Sequence, residues 1–233
     1  MTAPATAPDT RPYSPGLEGV VAAESALGLV DGANGRLLYR GYAIGDLVER
    51  GTYPAVANQH WTGDWDPAAR LPTAPVPEPV LTAQRAHGPD AKPMDALRTA
   101  VSVWGATTTL EWPPTVDDAR RLTAFSPSAL AAYARIRAGK DPIDPDPSLD
   151  LVPGFLYQLN GERADDATAR ALDAYFIVGA EHGFNASTFT ARVITSTRSD
   201  IASAVAGAIG TMKGPLHGGA PRSHSSACSG EPT

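Results

Sequence analysis

The last third of the sequence constrains the fold most, because one helical pattern occurs in it three times. Each stretch opens on a side chain that can cap a helix, and apolar residues follow three or four positions apart. A glycine ends the first stretch, in His182-Gly183, and another ends the third, in Gly214-Pro215. The predicted caps are Asp165 or Asp166, Asn185, and Ser199 or Asp200. This segment predicts three consecutive helices.

The apolar residues of each stretch fall on one side of its predicted helix. They are Leu172, Tyr175, Phe176 and Gly179 in the first stretch, Phe189 and Val193 in the second, and Ile201, Val205, Ile209 and Met212 in the third. Beside the third group lies a stripe of small residues, Ala202, Ala206 and Gly210. Small residues let another helix approach closely, so we expect this helix to pack tightly.

A short β element precedes the helices. Two apolar runs flank residues 31–35, whose Asp, Gly and Asn tolerate positive φ, and this arrangement predicts a hairpin. Gly41 and Tyr42 should end its second strand, and residues 44–50 should form a short helix. We expect a helix at 94–105, only short pieces over 62–93, and two pieces over 117–138 broken near Pro127. The predicted fold class is mainly α.

Composition restricts the compartment and the partners. Hydrophobic residues make up 42% of the 233 residues, yet no run approaches the ~20 apolar residues of a membrane span. The net charge of −6 argues against a nucleic-acid partner. The single cysteine, Cys228, fits a reducing compartment, and residues 1–15 are interpreted as a disordered arm. These features predict a cytoplasmic protein without membrane or nucleic-acid partners.

Five histidines are the candidates for chemistry. His60 and His87 lie in polar or proline-rich surroundings and are predicted to be surface residues, and a His224–Cys228 pair is disfavoured because its segment has no apolar residues. His182 and His217 each lie at a predicted helix exit flanked by glycines, 217 − 182 = 35 positions apart. Two helices folded as a hairpin would turn both imidazoles toward one cleft. On spacing alone, two histidines that merely cap helices remain the favoured alternative.

Several strings resemble the citrate synthase family of bacteria. They are Gly16-Leu17-Glu18-Gly19-Val20, residues 36–42, residues 93–98, residues 146–149, His182-Gly183-Phe184-Asn185-Ala186-Ser187-Thr188-Phe189 and residues 213–220. The resemblance covers about residues 16–220. It implies the large helical domain of that fold with a short N-terminal hairpin, and a homodimer that condenses acetyl-CoA with oxaloacetate to citrate. It implies no metal or redox cofactor.

The resemblance also implies roles for three residues. His217 matches the histidine that donates a hydrogen bond to the thioester carbonyl, where negative charge develops as the methyl group is deprotonated. His182 matches a histidine that contacts oxaloacetate, and Asn185 lies in the same substrate-binding turn. The stripe of the third helix would lie at the family's dimer interface. Asn58, Gln59 and His60 stand where the family has an apolar helix face, which predicts a weakened local core.

Family members continue well beyond Ala220, into a part that supplies a second catalytic histidine, an aspartate base, arginines for the substrate carboxylates and most of the CoA site. Residues 221–233 show no helical period, so we interpret them as a non-family, disordered tail left by a frame change or truncation, with the small domain missing. A divergent tail is the alternative. Two hypotheses follow: an acyltransferase acting on acetyl-CoA, or on propionyl-CoA as a 2-methylcitrate synthase, or a silent fragment that only associates with a homologue.

Overall fold

The computed structural model describes residues 20–88 and 90–218, so the interpretations of residues 1–15, His224, Cys228 and 221–233 lie outside the described residues. The described strands are β1 Gly28–Asp31, β2 Arg36–Tyr39 and β3 Tyr42–Ala43. The described helices are α1 Ile44–Arg50, α2 Tyr53–Thr62, α3 Glu78–Arg85, α4 Pro93–Thr107, α5 Val116–Arg137, α6 Leu151–Asn160, α7 Asp166–Val178, α8 Ala186–Ser196 and α9 Ile201–Met212. The mainly α prediction is confirmed. Of the helices in these ranges, none is both long enough and apolar enough to cross a bilayer.

The predicted hairpin forms and continues into a third strand. Asp31 accepts hydrogen bonds from the backbone and side-chain nitrogens of Asn34, which closes the turn between β1 and β2. The second strand ends at Tyr39, before Gly41, as predicted. The third strand was not predicted: Arg40 and Gly41 take positive φ values of 45° and 89° and turn the chain into β3. The antiparallel order is β1-β2-β3, with Gly28 opposite Tyr39.

Helix α5 runs unbroken through Pro127, so the predicted break is wrong. Proline removes one helical N–H, here the donor for the carbonyl of Thr123. The Ser126 hydroxyl donates to the neighbouring carbonyl of Leu122 at 2.7 Å. Burial outweighs the lost bond, because Phe125 and Ala129 on either side of the proline are almost completely buried.

The main core lies between α3, α4, α5 and α9. Trp104 of α4 stacks on Phe125 of α5 with ring centroids 5.5 Å apart. Ala202 and Ile209 of α9 are buried in the same cluster, and Val205 packs against it. The stripe that the resemblance would put at the dimer interface therefore packs largely against the chain's own core, and of its four residues only Met212 is exposed, at 42%.

A second cluster joins the β element to α7. It contains Tyr39, Leu47, Val56 and Ile177, all almost fully buried. The predicted apolar face of α7 is shifted, because Tyr175 is 73% exposed whereas Asp173 and Ile177 are buried. Asp173 tolerates burial because it accepts hydrogen bonds from the backbone of Tyr53 at 3.0 Å and from Arg170 at 3.1 Å.

The polar residues of α2 are partly satisfied by hydrogen bonds to neighbouring groups. Gln59 is fully buried and donates to the backbone oxygen of Tyr39 at 3.2 Å. Asn58 accepts a hydrogen bond from Arg120 of α5 at 2.7 Å. His60, predicted to be on the surface, is half-buried, with Nδ1 2.8 Å from the carbonyl of Val56. Gln59 and Asn58 thus connect α2 to its neighbours, but Oε1 of Gln59 and Nε2 of His60 are buried without a hydrogen-bond partner in the described residues, so the weakened core stays a prediction.

Candidate active site

Helices α8 and α9 fold as an antiparallel hairpin that returns the chain to the start of α8. The hydroxyl of Thr211 donates to that of Thr190 at 2.9 Å, and Ala202 and Ile209 hold α9 on the core. At the open end of the hairpin, Nε2 of His217 lies 3.0 Å from Oγ of Ser187. The predicted return of the chain is confirmed, and it brings His217 to the first turn of α8.

The first turn of α8 is organised by Asn185. Its Oδ1 accepts from the backbone N–H of Thr188 at 2.9 Å and from the hydroxyl of Ser187 at 2.8 Å. Asn185 is thus the N-cap that the sequence predicts, with φ −82° and ψ 175°. Its other amide atom, Nδ2, finds no acceptor in the described part of the chain. That N–H₂ group is left with donors to offer to a ligand.

Ser187 links Asn185 to His217, and its single hydroxyl hydrogen can serve only one of them. When Ser187 donates to Asn185, Nε2 of His217 must carry the proton and donate to the serine, which leaves Nδ1 as an acceptor. When Ser187 turns its hydrogen to Nε2, the proton of the neutral ring lies on Nδ1, which becomes a donor. The hydroxyl therefore decides whether the outer nitrogen of His217 accepts or donates.

The turn that presents His217 is tied to α4. Lys213 pairs with the carboxylate of Asp95, and this hydrogen bond holds the pKa of Asp95 below its usual value. The backbone N–H of His217 donates to the oxygen of Gly214 at 3.0 Å. At Gly218 a Cβ atom would lie 2.8 Å from the backbone oxygen of Met212. Glycine is therefore required for the chain to run so close to the end of α9. These contacts fix the position of the backbone from which the His217 side chain extends.

His182 lies in a separate turn, between α7 and α8. Helix α7 ends at Val178, earlier than the predicted end near Gly183, although Gly183 does take a positive φ of 69°. The backbone N–H of Gly183 donates to the carboxylate of Glu181, and that of Asn185 donates to the oxygen of Gly183 at 3.0 Å. The side chain of His182 is exposed, and in residues 20–88 and 90–218 its ring makes no hydrogen bond. The structure thus joins Asn185 to His217 and leaves His182 open to solvent in an adjacent turn.

Two residues at this site were missed by the sequence reasoning. Ser187 is 4% exposed, and the residues next to it in the sequence do not mark it as functional. A hydroxyl two positions after a capping Asn was the one usable signal. Phe184 packs edge-on to Phe189 at 5.6 Å, and the guanidinium of Arg192 lies 5.1 Å from its ring. These contacts hold the turn before α8 against the helix it begins.

The other predicted surface histidine, His87, is also partly buried. Its ring meets Tyr133 edge-on with centroids 5.9 Å apart, and the hydroxyl of Tyr133 donates to the oxygen of Ala91 at 2.6 Å. The surface prediction for His60 and His87 is therefore wrong, because both rings fill gaps between elements. Neither contacts the network around Asn185 and His217.

Comparison with known proteins identifies the class to which this helical fold and its histidine turn belong. The family model described as "Citrate synthase, C-terminal domain" matches residues 16–226. A citrate synthase of Haloferax volcanii is 42% identical over 88% of this chain, and a 2-methylcitrate synthase of Mycobacterium tuberculosis is 40% identical over 94% of it. The chain belongs to the citrate synthase family.

Solved structures give the same result. The citrate synthase of Thermotoga maritima superposes with a TM-score of 0.75 at 35% identity, over 88% of this chain and 57% of that one. The citrate synthase of Thermoplasma acidophilum, in a ternary complex with carboxymethyl coenzyme A and oxaloacetate, superposes with a TM-score of 0.80 at 26% identity, over 90% and 58%. The chain spans 58% of the length of the two sequence relatives named above.

Proposed function

We propose that this chain provides the oxaloacetate-binding part of a citrate-synthase-type acyltransferase, which condenses acetyl-CoA with oxaloacetate and water to give citrate and CoA. The observation that carries the proposal is the hydrogen-bonded series His217–Ser187–Asn185 at the start of α8. Family membership supports it, as do the names of relatives that are citrate and 2-methylcitrate synthases. The Thermoplasma complex supports oxaloacetate and a coenzyme A derivative as the ligands.

In this proposal His217 stabilises charge on the thioester. Removing a proton from the acetyl methyl group places negative charge on the thioester oxygen, and a donor fixed at that position lowers the barrier. Nδ1 of His217 can donate only when Ser187 gives its hydrogen to Nε2, or when the ring is protonated. Ser187 is therefore proposed to select the tautomer that can donate.

His182 and Asn185 are proposed to bind oxaloacetate. The Nδ2 group of Asn185 has hydrogens to donate, and the exposed ring of His182 offers a further polar contact. The enolate carbon of the acyl group then attacks the ketone carbon of oxaloacetate, and hydrolysis of the thioester releases CoA. The base that takes the methyl proton is assigned by the resemblance to the part of the family beyond Ala220.

A polypeptide limited to these 233 residues is expected to bind oxaloacetate only weakly, because the resemblance assigns the carboxylate-binding arginines to the part beyond Ala220. It should show no measurable turnover, since proximity to a base and general-base assistance are each worth orders of magnitude. Calorimetry at millimolar oxaloacetate measures the binding, and thiol release from acetyl-CoA measures the turnover. Asn185→Asp is the sharpest variant, because aspartate keeps the helix cap but replaces the Nδ2 donor by an acceptor. It should abolish binding while the thermal midpoint stays close to that of the parent.

Binding that is absent in the parent chain, or unchanged in both Asn185→Asp and His182→Ala, would refute the proposed oxaloacetate site. Thiol release that disappears in His217→Ala would instead show that the 233 residues suffice for catalysis. Host synthase must be excluded by preparing the protein from a strain lacking it.

The acyl substrate and the assembly belong to the same proposal. Relatives of nearly equal identity are citrate synthases and 2-methylcitrate synthases, so propionyl-CoA is the alternative acyl donor. We also propose a cytoplasmic homodimer. Exposed apolar side chains on α7 and α8, including Val178 and Val193, support self-association. A silent fragment that pairs with a homologue is the second hypothesis, and the oxaloacetate-binding measurement separates the two, because such a fragment would bind none.

A further inference from the structure

The hydroxyl of Tyr39 is buried where α7 ends, far from Tyr39 in the sequence. It lies 2.7 Å from the carbonyl oxygen of Val178 and 3.1 Å from that of Glu181, and it accepts from the N–H of Glu181 at 3.3 Å. A phenol has one hydrogen, and the shorter distance assigns it to Val178. That oxygen belongs to the last turn of α7, whose carbonyls have no helical donor. Tyr39 thus caps α7 and also contacts the backbone of Glu181, the residue before His182.

Tyr39 is itself held rigidly. Its side chain is fully buried among Leu47, Val56 and Ile177, and its backbone oxygen accepts from the amide of Gln59 at 3.2 Å. Burial raises the pKa of the phenol, so it stays protonated and remains a donor at neutral pH. A fixed donor on a strand can therefore set the position of the loop that it contacts.

The strand opposite Tyr39 holds the same loop from its other side. Gly28 pairs with Tyr39, and a Cβ atom at position 28 would lie 2.8 Å from Cγ of Glu181. The Glu181 carboxylate accepts in turn from the N–H of Gly183. The backbone on both sides of His182 is thus fixed, by the phenol through Glu181 and by the Glu181 carboxylate through Gly183.

We propose that Tyr39 is a positioning residue for His182: its hydroxyl fixes the 178–183 backbone against the β element and so sets the direction from which His182 meets oxaloacetate. This inference rests on the proposed function for its ligand. It gives the small sheet a role in the site, as the rigid support of a loop whose histidine has no hydrogen bond of its own in the described residues.

The test is Tyr39→Phe, which removes one oxygen and keeps the buried ring. The control is Tyr175→Phe, which removes the same atom from a side chain that is 73% exposed on α7. Without this hydrogen bond the 178–183 loop has to be ordered when the ligand binds, and a cost of up to one such bond predicts about two- to tenfold weaker oxaloacetate binding for Tyr39→Phe and no change for the control. Calorimetry well below the thermal midpoint separates this loss from unfolding.

Two further readouts do not depend on the ligand. In Tyr39→Phe the imidazole NMR signals of His182 should shift or broaden and amide exchange at 181–183 should accelerate, while the signals of His217 stay unchanged. Gly28→Ala, which displaces the Glu181 side chain, should reproduce both effects. If Tyr39→Phe matches Tyr175→Phe at His182 and in exchange at 181–183, the inference is overturned. If the parent chain binds no oxaloacetate, the proposed function fails, and the NMR and exchange measurements still decide the role of Tyr39.

Discussion

Gly105→Ala should destabilise the protein, although alanine is the better helix former. Gly105 lies in α4 where α9 crosses it, and a Cβ atom there would fall well inside van der Waals contact with Cβ of Ala202. Ala202 is 1% exposed, and its Cβ is attached directly to the backbone of α9. No side-chain rotation can relieve the overlap, so one helix has to move away from the other.

Whether Gly105→Ala raises or lowers the free energy of unfolding depends on the gain in helix propensity and the cost of overpacking. Replacing glycine by alanine in a helix gains about 0.8–1.0 kcal/mol from propensity. Overpacking a tight contact costs about 1–3 kcal/mol, and a rigid neighbour places this case toward the upper end. The net result is a loss of about 1–2 kcal/mol, which lowers the melting temperature by about 2–8 °C in a chain of this size.

The matched control is Gly210→Ala in α9, where the nearest atom to the added Cβ is Cδ of Arg98 at 3.9 Å. With room available, alanine should raise the free energy of unfolding by up to about 1 kcal/mol. Urea unfolding and calorimetry of both variants measure the difference. If Gly105→Ala stabilises the chain as much as Gly210→Ala does, the close contact between α4 and α9 is refuted.

Three other measurements test the structure. Ile177→Ala removes a fully buried side chain and should cost about 2–5 kcal/mol, whereas the neighbouring Val178→Ala, at 45% exposure, should cost less than about 1 kcal/mol; equal losses in urea unfolding would contradict the described end of α7. Burial lowers the pKa of His60 below its usual 6.5, so the unfolded chain binds more protons. Its stabilisation is complete above about pH 6.5 and is lost as the pH falls through the folded pKa, so His60→Asn should flatten the pH dependence of urea midpoints between pH 7 and 5. Sedimentation at micromolar concentration should show a dimer, and a monodisperse monomer would count against the proposed assembly.

Local signals in the sequence predicted the elements that depend on local chemistry. The side chains of Asp165, Asn185 and Asp200 cap α7, α8 and α9, each by accepting from a backbone N–H three residues on. The hairpin turn at Asp31 likewise closes through its own neighbours. Caps and turns are decided within a few residues, so the pattern alone sufficed for them.

Predictions that depended on distant partners were less successful. Pro127 was expected to break a helix, but the stacked core around Phe125 keeps α5 continuous. Asp173 was not expected in a core, yet the backbone of Tyr53, 120 positions away in sequence, satisfies its carboxylate. The partner of Tyr39 at Val178 is 139 positions away, and the short apolar run that predicted its strand contains no information about it. Tertiary contacts override local propensity at each of these places.

Among the site residues, the sequence identified Asn185 and His217 and missed the hydroxyl that joins them. The flanking glycines made His217 a candidate and the pattern made Asn185 a helix cap, whereas the roles of both in the site came from the resemblance to the family. Ser187 lies inside the first turn of α8, where serine is unremarkable. Its importance comes from the chain returning through α9, which only the fold reveals.

The double use of Asn185 limits how this site can change. One oxygen of its side chain both starts α8 and holds Ser187, so any substitution that removes this acceptor would also disturb the helix that supports His217. Only residues whose side chain still accepts the hydrogen bonds of that oxygen keep the helix cap, and among them asparagine alone also offers an N–H₂ group. Under the proposed function, variation in substrate range is therefore expected at the acyl group rather than at this end of the site. Mutational scanning of position 185 should accordingly show almost no tolerance, whereas diversification within the family should accumulate where the acyl chain is held.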